Sequence, residues 1–343
     1  MCAAGYSLRY PAGSGNLCKT VARLLCLPCI MIAYMKIAGV FISLLFLFSQ
    51  PPPADNPVPA YSHVIIVVEE NHAFHQVIGS PNAPYINELA KNGALFTDSH
   101  GVSHPSQPNY LALFSGSTQG VTGDGCLAGH TPFKTPNLGA ALIARKLTFA
   151  GYAQTMPKEG FLGCTMGFHN LTVGNLYARK HAPWVNWIGT GENSIPAADS
   201  QPMTAFPKSF DKLPTVAFVV PDMDHDMHNI GLPGNAAAIR RGDKWLKENL
   251  RDYAEWAKSN NSLLIVTFDE DDYDGQNYNK IATIFYGDKL KKGEYNEHIT
   301  HYVILHTIEA MYGLPSTDDV SAAPITDVWK KEPLIKLLKK DRQ

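Results

Sequence analysis

The sequence has no surplus of positive charge, since 29 lysine and arginine residues face 31 aspartate and glutamate residues, for a formal net charge of −2. This balance excludes a basic nucleic-acid-binding surface as the organising feature. Charged residues make up only 17% of the chain and hydrophobic residues 45%, which excludes disorder. Glycine and proline follow no period and there is no internal repeat, so collagen-like and solenoid architectures are excluded too. The 293 residues after Gln50 suffice for one large α/β domain or two small ones.

The amino-terminal segment is apolar but does not favour one membrane-spanning helix. Pro28 and Lys36 interrupt the apolar run at residues 24–49, and a central lysine costs ~3 kcal/mol in a spanning helix. From Met35 onward, a lysine, an apolar stretch over residues 37–48 and a turn-forming PPPADNP segment follow one another, which is typical of a secretory signal peptide. We therefore expect a secreted or periplasmic protein with no stable membrane span in its mature form. An uncleaved amino-terminal anchor is the alternative.

Export also determines how we divide the chain and interpret its cysteines. Residues 1–34 are expected to be an upstream extension that is untranslated or not retained, and residues 35–50 a signal peptide. A proline-rich linker at residues 51–60 then leads to one large domain at residues 61–343. Four of the six cysteines lie in the head, so Cys126 and Cys164 remain in the exported part. An even pair in an oxidising compartment predicts one disulfide, and two free buried thiols are the alternative.

Short apolar runs alternate with helical stretches after Tyr61. The runs of strand length are HVIIVV, TVAFVV, SLLIVTF and KIATIFY, at residues 63–68, 215–220, 262–268 and 280–286. They are nearly continuous in apolar residues, as is typical of strands buried on both faces of a sheet. The helical stretches lie at residues 83–93, 136–146 and 235–259. This alternation predicts a three-layer α/β/α sandwich with a mostly parallel central sheet.

Three of the predicted strands run directly into polar clusters, at residues 69–72, 221–228 and 269–272. Chemistry in such sheets lies beyond the carboxyl ends of the strands, so we expect the clusters to meet at one edge. A single carboxylate at a strand end is equally well a helix cap or a turn former. Three clusters together predict a divalent-metal site, because carboxylates with some imidazole suit such ions.

Ser106 lies in the segment SHPSQPNYLALFSG, at the head of a helix-like apolar run. The free backbone N–H groups and the positive dipole end of that helix would face an anion here. Serine is also a common N-cap, so a purely structural role is the alternative.

With these residues in view, the chain resembles the bacterial phosphoesterase family that joins secreted acid phosphatases and phospholipase C enzymes, within the alkaline phosphatase superfamily. The resemblance extends from Tyr61 to Leu314, and its motifs occur in the family's order. They are EENHAF, SQPNY, YARKHAPW, HDMHN, FDEDD and HYVILHTIEAMYGL, at residues 69–74, 106–110, 177–184, 225–229, 268–272 and 301–314. The resemblance implies an alkaline phosphatase-like fold and a phosphoesterase catalytic domain over residues 61–343.

The resemblance also implies roles for individual residues. Ser106 would be the nucleophile that forms a phosphoserine, and Asn109 would donate a hydrogen bond to a phosphoryl oxygen. The residues implied to hold a divalent ion are Glu70, Asn71, Asp269 and Glu270. Those implied on the leaving-group side, as a second metal centre or as proton donors, are Asp226, His228 and His301. His181 would be a further phosphate or leaving-group contact.

The chain departs from the wider superfamily at its implied metal ligands. Metal-binding phosphatases there often have Asp-His where this chain has Asp269 and Glu270, and Asp where it has Asn71. Replacing imidazole by carboxylate favours Mg²⁺, Ca²⁺ or Mn²⁺ over Zn²⁺ and leaves one ion or two as alternatives. The histidines that receive no role are His104, His130 and His169.

The expected function is a secreted, metal-dependent acid phosphatase that hydrolyses small phosphate monoesters through a phosphoserine. At least one of His181, His228 and His301 is expected to titrate near the ordinary histidine pKa of ~6.5 and donate a proton. A phospholipase C-type phosphodiesterase is the first alternative, although we expect no room after Leu314 for the added lipid-engaging domain usual in that branch. An exported protein that binds metal or phosphate without turnover is the second. The sequence does not determine the oligomeric state.

Overall fold

A computed structural model of the protein describes residues 57–331, except residues 168–175, 233, 274, 276–277 and 319. The expected upstream extension and signal peptide, most of the linker, and His169 lie outside the described residues and stay predictions. No helix within the described part of the chain is long and apolar enough to cross a membrane.

The strands form from short runs rich in β-branched and aromatic residues. In chain order, β1 to β11 are His63–Glu69, Ala94–His100, Phe149–Ala153, Thr165–Met166, Tyr177–Ala178, Ser200–Pro202, Val216–Val220, Ser262–Phe268, Lys280–Gly287, Gly293–Tyr295 and Ile299–Thr300. The four predicted strands correspond to β1, β7, β8 and β9. Nine of the described strands form the central sheet, and β4 pairs with β5 in a separate antiparallel ribbon.

The central sheet is mostly parallel, as predicted. Its strands lie side by side in the order β10, β2, β9, β8, β1, β7, β3 and β6, and β11 also pairs with β2. Every pairing described in this sheet is parallel apart from those of β9, which runs antiparallel to β8 and β2. The carboxyl ends of β1, β7 and β8 therefore lie at the same edge.

Strand β1 shows why the sheet is buried on both faces. Val64, Ile66 and Val68 pack into one apolar core, and Ile65 and Val67 pack into the other, because successive side chains of a strand point to opposite faces. All five are buried. Two cores flanking one sheet need two outer layers, so the predicted three-layer α/β/α sandwich is confirmed.

The outer layers are helical. In chain order, α1 to α6 are Phe74–Val77, Pro84–Asn92, Ser106–Ser115, Leu138–Ala144, Asn235–Ala257 and His301–Tyr312. Side chains of α1, α2 and α5 belong to the core that contains Ile65, and those of α3, α4 and α6 belong to the core that contains Val64. The apolar stripe predicted for α5 is buried against the sheet, including Trp245, Leu246 and Leu250.

Helix α3 is enclosed on all sides, since each of its ten residues is buried. Gly116 ends it with a φ of +67°, a conformation that favours glycine, and a β-carbon there would collide with the carboxylate of Asp318. The helix begins at Ser106, directly after Pro105. Burial along its whole length therefore fixes the position of its first residue relative to the sheet.

Candidate active site

Three strand ends meet at one edge of the sheet. β1 and β8 stay in register to their last residues, where Glu69 lies opposite Phe268. The backbone N–H of Asp269 donates to the carbonyl of Glu69 at 3.0 Å, and that of Glu70 donates at 2.7 Å to the carbonyl of Asp226, from the loop after β7. The structure thus brings the three predicted polar clusters together.

The hydroxyl of Ser106 points into this edge. Its Oγ lies 3.0 Å from Oε2 of Glu70, 3.2 Å from Oε1 of Glu270 and 3.4 Å from Oδ1 of Asn71. A hydroxyl carries one proton, so it donates fully to one of these acceptors at a time. Pro105 is the N-cap residue, and the helix has no side-chain cap. The Ser106 hydroxyl therefore does not have the capping role that the structural alternative required.

The carboxyl groups buried at this edge include those of Glu69, Glu70, Asp226, Asp269 and Glu270. Burial raises the pKa of Asp269 to about 7. Burial and the neighbouring charge of Asp269 raise the pKa of Glu270 to about 9. Burial is also the largest cause that raises the pKa of each of the other three well above its usual range. The folded chain thus concentrates acidic groups that resist ionisation.

Several atoms of this acidic group have no hydrogen-bond partner although they are buried. Among the residues that the structure describes, the carboxylate atoms without a partner are both oxygens of Glu69, Oε1 of Glu70, Oδ2 of Asp226 and Oδ2 of Asp269, and Nε2 of the adjacent His181 also has none. Buried polar atoms without partners cost folding free energy, and several carboxylate oxygens without donors are a ligand set for a cation. The residues present therefore fit a divalent metal ion.

His181 lies between two of these carboxylates. Its Nε2 is 3.1 Å from Oε1 of Glu70 and its Nδ1 is 3.2 Å from Oδ2 of Asp226, and neither contact has hydrogen-bond geometry. Burial lowers the pKa of His181 well below its usual range, so the ring is neutral and has one N–H. The other nitrogen then directs a lone pair at a carboxylate, an arrangement that a cation relieves. The ligand atoms of Glu70, His181 and Asp226 all lie within 4.8 Å of one another.

His228 and His301 lie around this group. The backbone N–H of His228 donates to Oδ1 of Asp226 at 2.8 Å, and its ring centre is 6.0 Å from that of His181. Nε2 of His301 donates to the carbonyl of Phe268 at 3.0 Å. Burial lowers the pKa of His228 and of His301 to about 4. The expectation that one of the three imidazoles keeps an ordinary pKa is wrong, because it left out the cost of burying a charged ring.

Asn109 holds the turn that leads to Ser106. Its Oδ1 accepts from the backbone N–H groups of Val102 at 2.9 Å and Ser103 at 3.0 Å, and its Nδ2 donates to the carbonyl of Ser103 at 2.9 Å. Nδ2 also lies 3.5 Å from Oε2 of Glu270. The amide thus links the turn to the acidic group, and its implied contact with a phosphoryl oxygen stays a prediction.

The profile of the Phosphoesterase family matches residues 80–315, well over half of the chain. The chain belongs to the phosphoesterase family. It is a hydrolase of phosphoric esters.

Named relatives of this phosphoesterase are phosphatases. A phosphatidylinositol-3-phosphatase of Mycobacterium tuberculosis is 45% identical over 279 residues, which cover 80% of this chain and 85% of that protein. An acid phosphatase of Aspergillus fumigatus is 29% identical over 263 residues, which cover 75% of this chain and 56% of that protein. This chain thus spans most of the mycobacterial relative and just over half of the fungal one.

Solved structures show the same fold. An alkaline phosphatase superfamily protein of Vibrio parahaemolyticus matches with a TM-score of 0.51 and 13% identity, over 75% of this chain and 67% of that chain. The lipoteichoic acid synthase LtaP of Listeria monocytogenes matches with a TM-score of 0.51 and 12% identity, over 76% of this chain and 74% of that chain. The predicted alkaline phosphatase-like fold of the phosphoesterase is confirmed.

Lys180 is a cation beside the candidate site that received no role in the sequence analysis. Its Nζ lies 2.6 Å from Oδ2 of Asp124. Burial opposes its charged form, but the charges of Glu70 and Asp124 outweigh burial and raise the pKa of Lys180. Its position next to His181 in the YARKHAPW motif was an available signal. The site therefore contains a permanent positive charge beside its carboxylates.

His104 also lies at the site, although it received no role. Its Nδ1 is 2.6 Å from Oε2 of Glu270 and its Nε2 is 3.2 Å from Oδ1 of Asp271. The ring stacks on Tyr273 with a centroid distance of 3.9 Å. Its place two residues before Ser106 was the signal that could have found it. His130 is exposed and still has no role.

A cavity of about 240 Å³ adjoins the candidate site. Its lining includes Gln107, Cys126, Leu127, Cys164, Lys180 and Met223. Cys126 and Cys164 form the expected disulfide, with their Cα atoms 5.7 Å apart and a sequence separation of 38. The disulfide therefore forms part of the wall of this cavity.

Removing the disulfide with the double substitution Cys126→Ser and Cys164→Ser is expected to reduce stability. The chain-entropy treatment gives about 4 kcal/mol for a closed loop of this span. We expect a lower melting temperature by calorimetry and an unchanged kcat, because the bond joins two loops and involves neither α3, which begins at Ser106, nor the strand ends around it. An unchanged melting temperature would contradict a stabilising role.

The cluster of buried carboxyl groups predicts an unusual pH dependence of stability for the protein after metal has been removed with a chelator. Folding raises the pKa of Asp269 to about 7 and of Glu270 to about 9, so folding disfavours their ionised forms. The free energy of unfolding therefore falls as pH rises from the unfolded pKa of ~4 to about 7 for Asp269 and to about 9 for Glu270. The lowered pKa values of His228 and His301 act oppositely, but only between pH ~4 and ~6.5. We expect the melting temperature to fall from pH 6.5 to 9 and divalent cations to suppress the fall. A melting temperature that rises over this range would contradict the assignment.

Proposed function

We propose that the protein is an exported, metal-dependent phosphomonoesterase that acts through a phosphoserine at Ser106. The observation that carries this proposal is the Ser106 hydroxyl, which lies at the first residue of a buried helix within 3.4 Å of side-chain oxygens of Glu70, Glu270 and Asn71. A serine oxygen directed at carboxylates can be deprotonated, and the adjacent helix N-terminus favours an anion. Export is supported by the disulfide, which persists in oxidising compartments.

In the proposed reaction, Oγ of Ser106 forms a bond to phosphorus while the bond from phosphorus to the ester oxygen breaks. Glu70 and Glu270 would stay ionised beside a bound cation, and the proton of Ser106 would then pass to whichever of these two carboxylates it contacts. The leaving alkoxide or phenoxide takes a proton and departs. Water then attacks the phosphoserine and releases inorganic phosphate, which restores the Ser106 hydroxyl.

Two groups of residues would hold metal. Glu70, Asn71, Asp269 and Glu270 offer oxygen atoms around Ser106, and these hard donors favour Mg²⁺, Ca²⁺ or Mn²⁺. Glu70 also belongs to the group with His181 and Asp226, which supplies one nitrogen donor. When bound, a divalent ion lowers the pKa of the serine hydroxyl and neutralises charge that develops on phosphoryl oxygens. Glu70 is common to both groups, which together would hold one ion or two.

Other side chains would bind the phosphoryl group and the leaving group. Lys180 supplies a charge that attracts a phosphate dianion. His228 is neutral when its pKa is about 4, and an adjacent phosphate dianion would raise that pKa and promote protonation. His228 would then donate to the leaving oxygen. The acidic activity expected of the enzyme follows from this coupling, since protonation of His228 becomes easier as pH falls.

The substrate class is proposed from the cavity and the relatives. The cavity of about 240 Å³ combines the charge of Lys180 with the apolar side chains of Leu127 and Met223, so it accommodates one compact substituent. The mycobacterial relative named phosphatidylinositol-3-phosphatase supports a phosphorylated inositol lipid headgroup as one such substrate. A phospholipase C reaction would instead place two substituents on phosphorus within the site.

Steady-state kinetics with matched mono- and diesters test the proposal. We expect kcat/KM for p-nitrophenyl phosphate and a short-chain phosphatidylinositol 3-phosphate to exceed that for bis-(p-nitrophenyl) phosphate and phosphatidylcholine at least tenfold, a barrier difference of about 1.4 kcal/mol. Release of inorganic phosphate, measured directly, distinguishes monoester hydrolysis from headgroup release. Faster turnover of the diester or of phosphatidylcholine would replace the proposal with the phospholipase alternative.

A further inference from the structure

A second group of potential metal ligands lies on β2, apart from the acidic group at Ser106. Asp98 and His100 are two residues apart on this strand, so their side chains leave it on the same face. Strand β11 pairs with the end of β2, with Ile299 opposite Ser99, which brings His298 alongside Asp98. The ligand atoms of Asp98, His100 and His298 all lie within 4.8 Å of one another.

Each oxygen of the Asp98 carboxylate faces a different imidazole. Oδ1 lies 2.9 Å from Nε2 of His100, and Oδ2 lies 3.0 Å from Nδ1 of His298. The side chains of Asp98 and His298 are 40% and 64% exposed, whereas that of His100 is only 15% exposed. The group is therefore open to ions from solvent on one side and anchored in the protein on the other.

The backbone determines which nitrogen of His100 has a lone pair. Nδ1 of His100 lies 3.0 Å from the carbonyl oxygen of Tyr278, which can only accept, so Nδ1 must carry the hydrogen. In a neutral ring, Nε2 then presents its lone pair to the Asp98 carboxylate at 2.9 Å. Two acceptors at that distance require a proton or a cation between them. A histidine whose remote N–H donates to a backbone carbonyl is also the usual arrangement of a metal ligand.

We propose that Asp98, His100 and His298 form a surface site for a divalent transition-metal ion, with Zn²⁺ the best match. Two imidazoles and one carboxylate are a donor set that suits Zn²⁺ and not the hard ions favoured at Ser106. Tetrahedral coordination places ligand atoms roughly 3.3 Å apart. The three ligand atoms already lie within 4.8 Å of one another, so coordination requires the exposed His298 side chain to move toward the Asp98 oxygen that also faces His100. The exposed side supplies water as the fourth ligand.

Zinc at this surface site would stabilise the segment that borders the active site. Coordination through Nε2 of His100 strengthens donation from Nδ1 to the carbonyl of Tyr278. The neighbouring Asn279 donates to the carbonyl of Ser103 at 2.9 Å and accepts from the backbone N–H of Asp271 at 2.7 Å. The zinc site would thus stabilise the segment at Ser103, which precedes Ser106, and the segment at Asp271, which follows β8. It contributes no residue to the proposed reaction.

Zinc content measured on His298→Ala and a matched control tests the site. The full chain is equilibrated with zinc chloride, freed of unbound ion by gel filtration and analysed for bound zinc. We expect His298→Ala to retain one equivalent less than wild type, and the exposed His130→Ala to retain the wild-type content. Asp98→Asn should repeat the loss, because it removes the carboxylate and keeps the side-chain shape.

This inference does not depend on the proposed function, and its outcome is separable from it. His298→Ala should retain wild-type kcat/KM for p-nitrophenyl phosphate, while zinc should raise the melting temperature of wild type more than that of His298→Ala. Equal zinc content in wild type, His298→Ala and Asp98→Asn would contradict the proposed zinc site. The contact between Asp98 and His100 would then be an ion pair with a protonated His100. Loss of phosphatase activity at Ser106 would leave the zinc comparison intact.

Discussion

Replacing Ser106 by alanine is expected to reduce kcat/KM for p-nitrophenyl phosphate by at least a thousandfold, equivalent to about 4 kcal/mol of transition-state stabilisation. The substitution removes the oxygen that would attack phosphorus and leaves the carboxylates of Glu70 and Glu270 in place. Since α3 is fully buried and alanine is a good helix former, the fold should persist. Retention of more than about a tenth of wild-type kcat, a change below 1.4 kcal/mol, would contradict the nucleophile assignment.

Ser115→Ala is the matched control, because Ser115 is also a buried serine of α3. Its hydroxyl donates at 2.8 Å to the backbone carbonyl of Leu111, at the opposite end of the helix from Ser106. We expect this variant to keep wild-type kcat within a factor of about three and to lose a little stability, on the order of 1 kcal/mol. Acid quenching during turnover should trap a phosphopeptide that contains Ser106 in wild type and in Ser115→Ala. Its absence in both would exclude the covalent route.

The fold could be predicted where buried strands are continuous in apolar residues. β1, β7 and β8 were predicted because burial on both faces leaves no polar positions in their centres. β2 was not predicted, because Thr97, Asp98 and His100 make its second half polar and partly exposed. The pattern of apolar residues in β9 does not show whether this strand runs parallel or antiparallel to its neighbours. The eleven residues between β8 and β9 are too few for the crossover that a parallel neighbour requires, so loop length was the available signal.

Sequence could predict only those site residues that directly follow a strand. Glu70, Asp226 and Asp269 were placed together because parallel strands present their carboxyl ends at one edge. The position of His181 between Glu70 and Asp226 depends on a short 3-10 helix far from both in sequence, so it has no periodic signal. Burial, which sets the pKa of each site histidine, is a property of the packed structure. Sequence therefore identified the chemical groups but not their protonation states.

Asp269→Asn is expected to reduce activity at least a hundredfold at low metal concentration, about 2.7 kcal/mol, and raised Mg²⁺ or Mn²⁺ should restore part of it. The substitution keeps an acceptor for the backbone N–H of Asn71, which Oδ1 of Asp269 receives at 3.1 Å. It removes the negative charge and replaces the buried Oδ2, which has no hydrogen-bond partner among the described residues. Asp252→Ala, an exposed substitution on α5, is the control and should leave the metal requirement unchanged.

Stability separates loss of a metal ligand from simple misfolding in Asp269→Asn. The charge of Asp269 raises the pKa of both Glu70 and Glu270, so its removal relieves repulsion among buried carboxylates. At pH 8 and after chelation, we expect Asp269→Asn to melt at the same temperature as wild type or higher, while added divalent cation raises its melting temperature less. Wild type itself should lose its phosphatase activity on exhaustive chelation and recover it on metal addition. Full activity that survives chelation, together with equal cation stabilisation of both proteins, would rule out a metal at Asp269 and leave Ser106 to be activated by carboxylates alone.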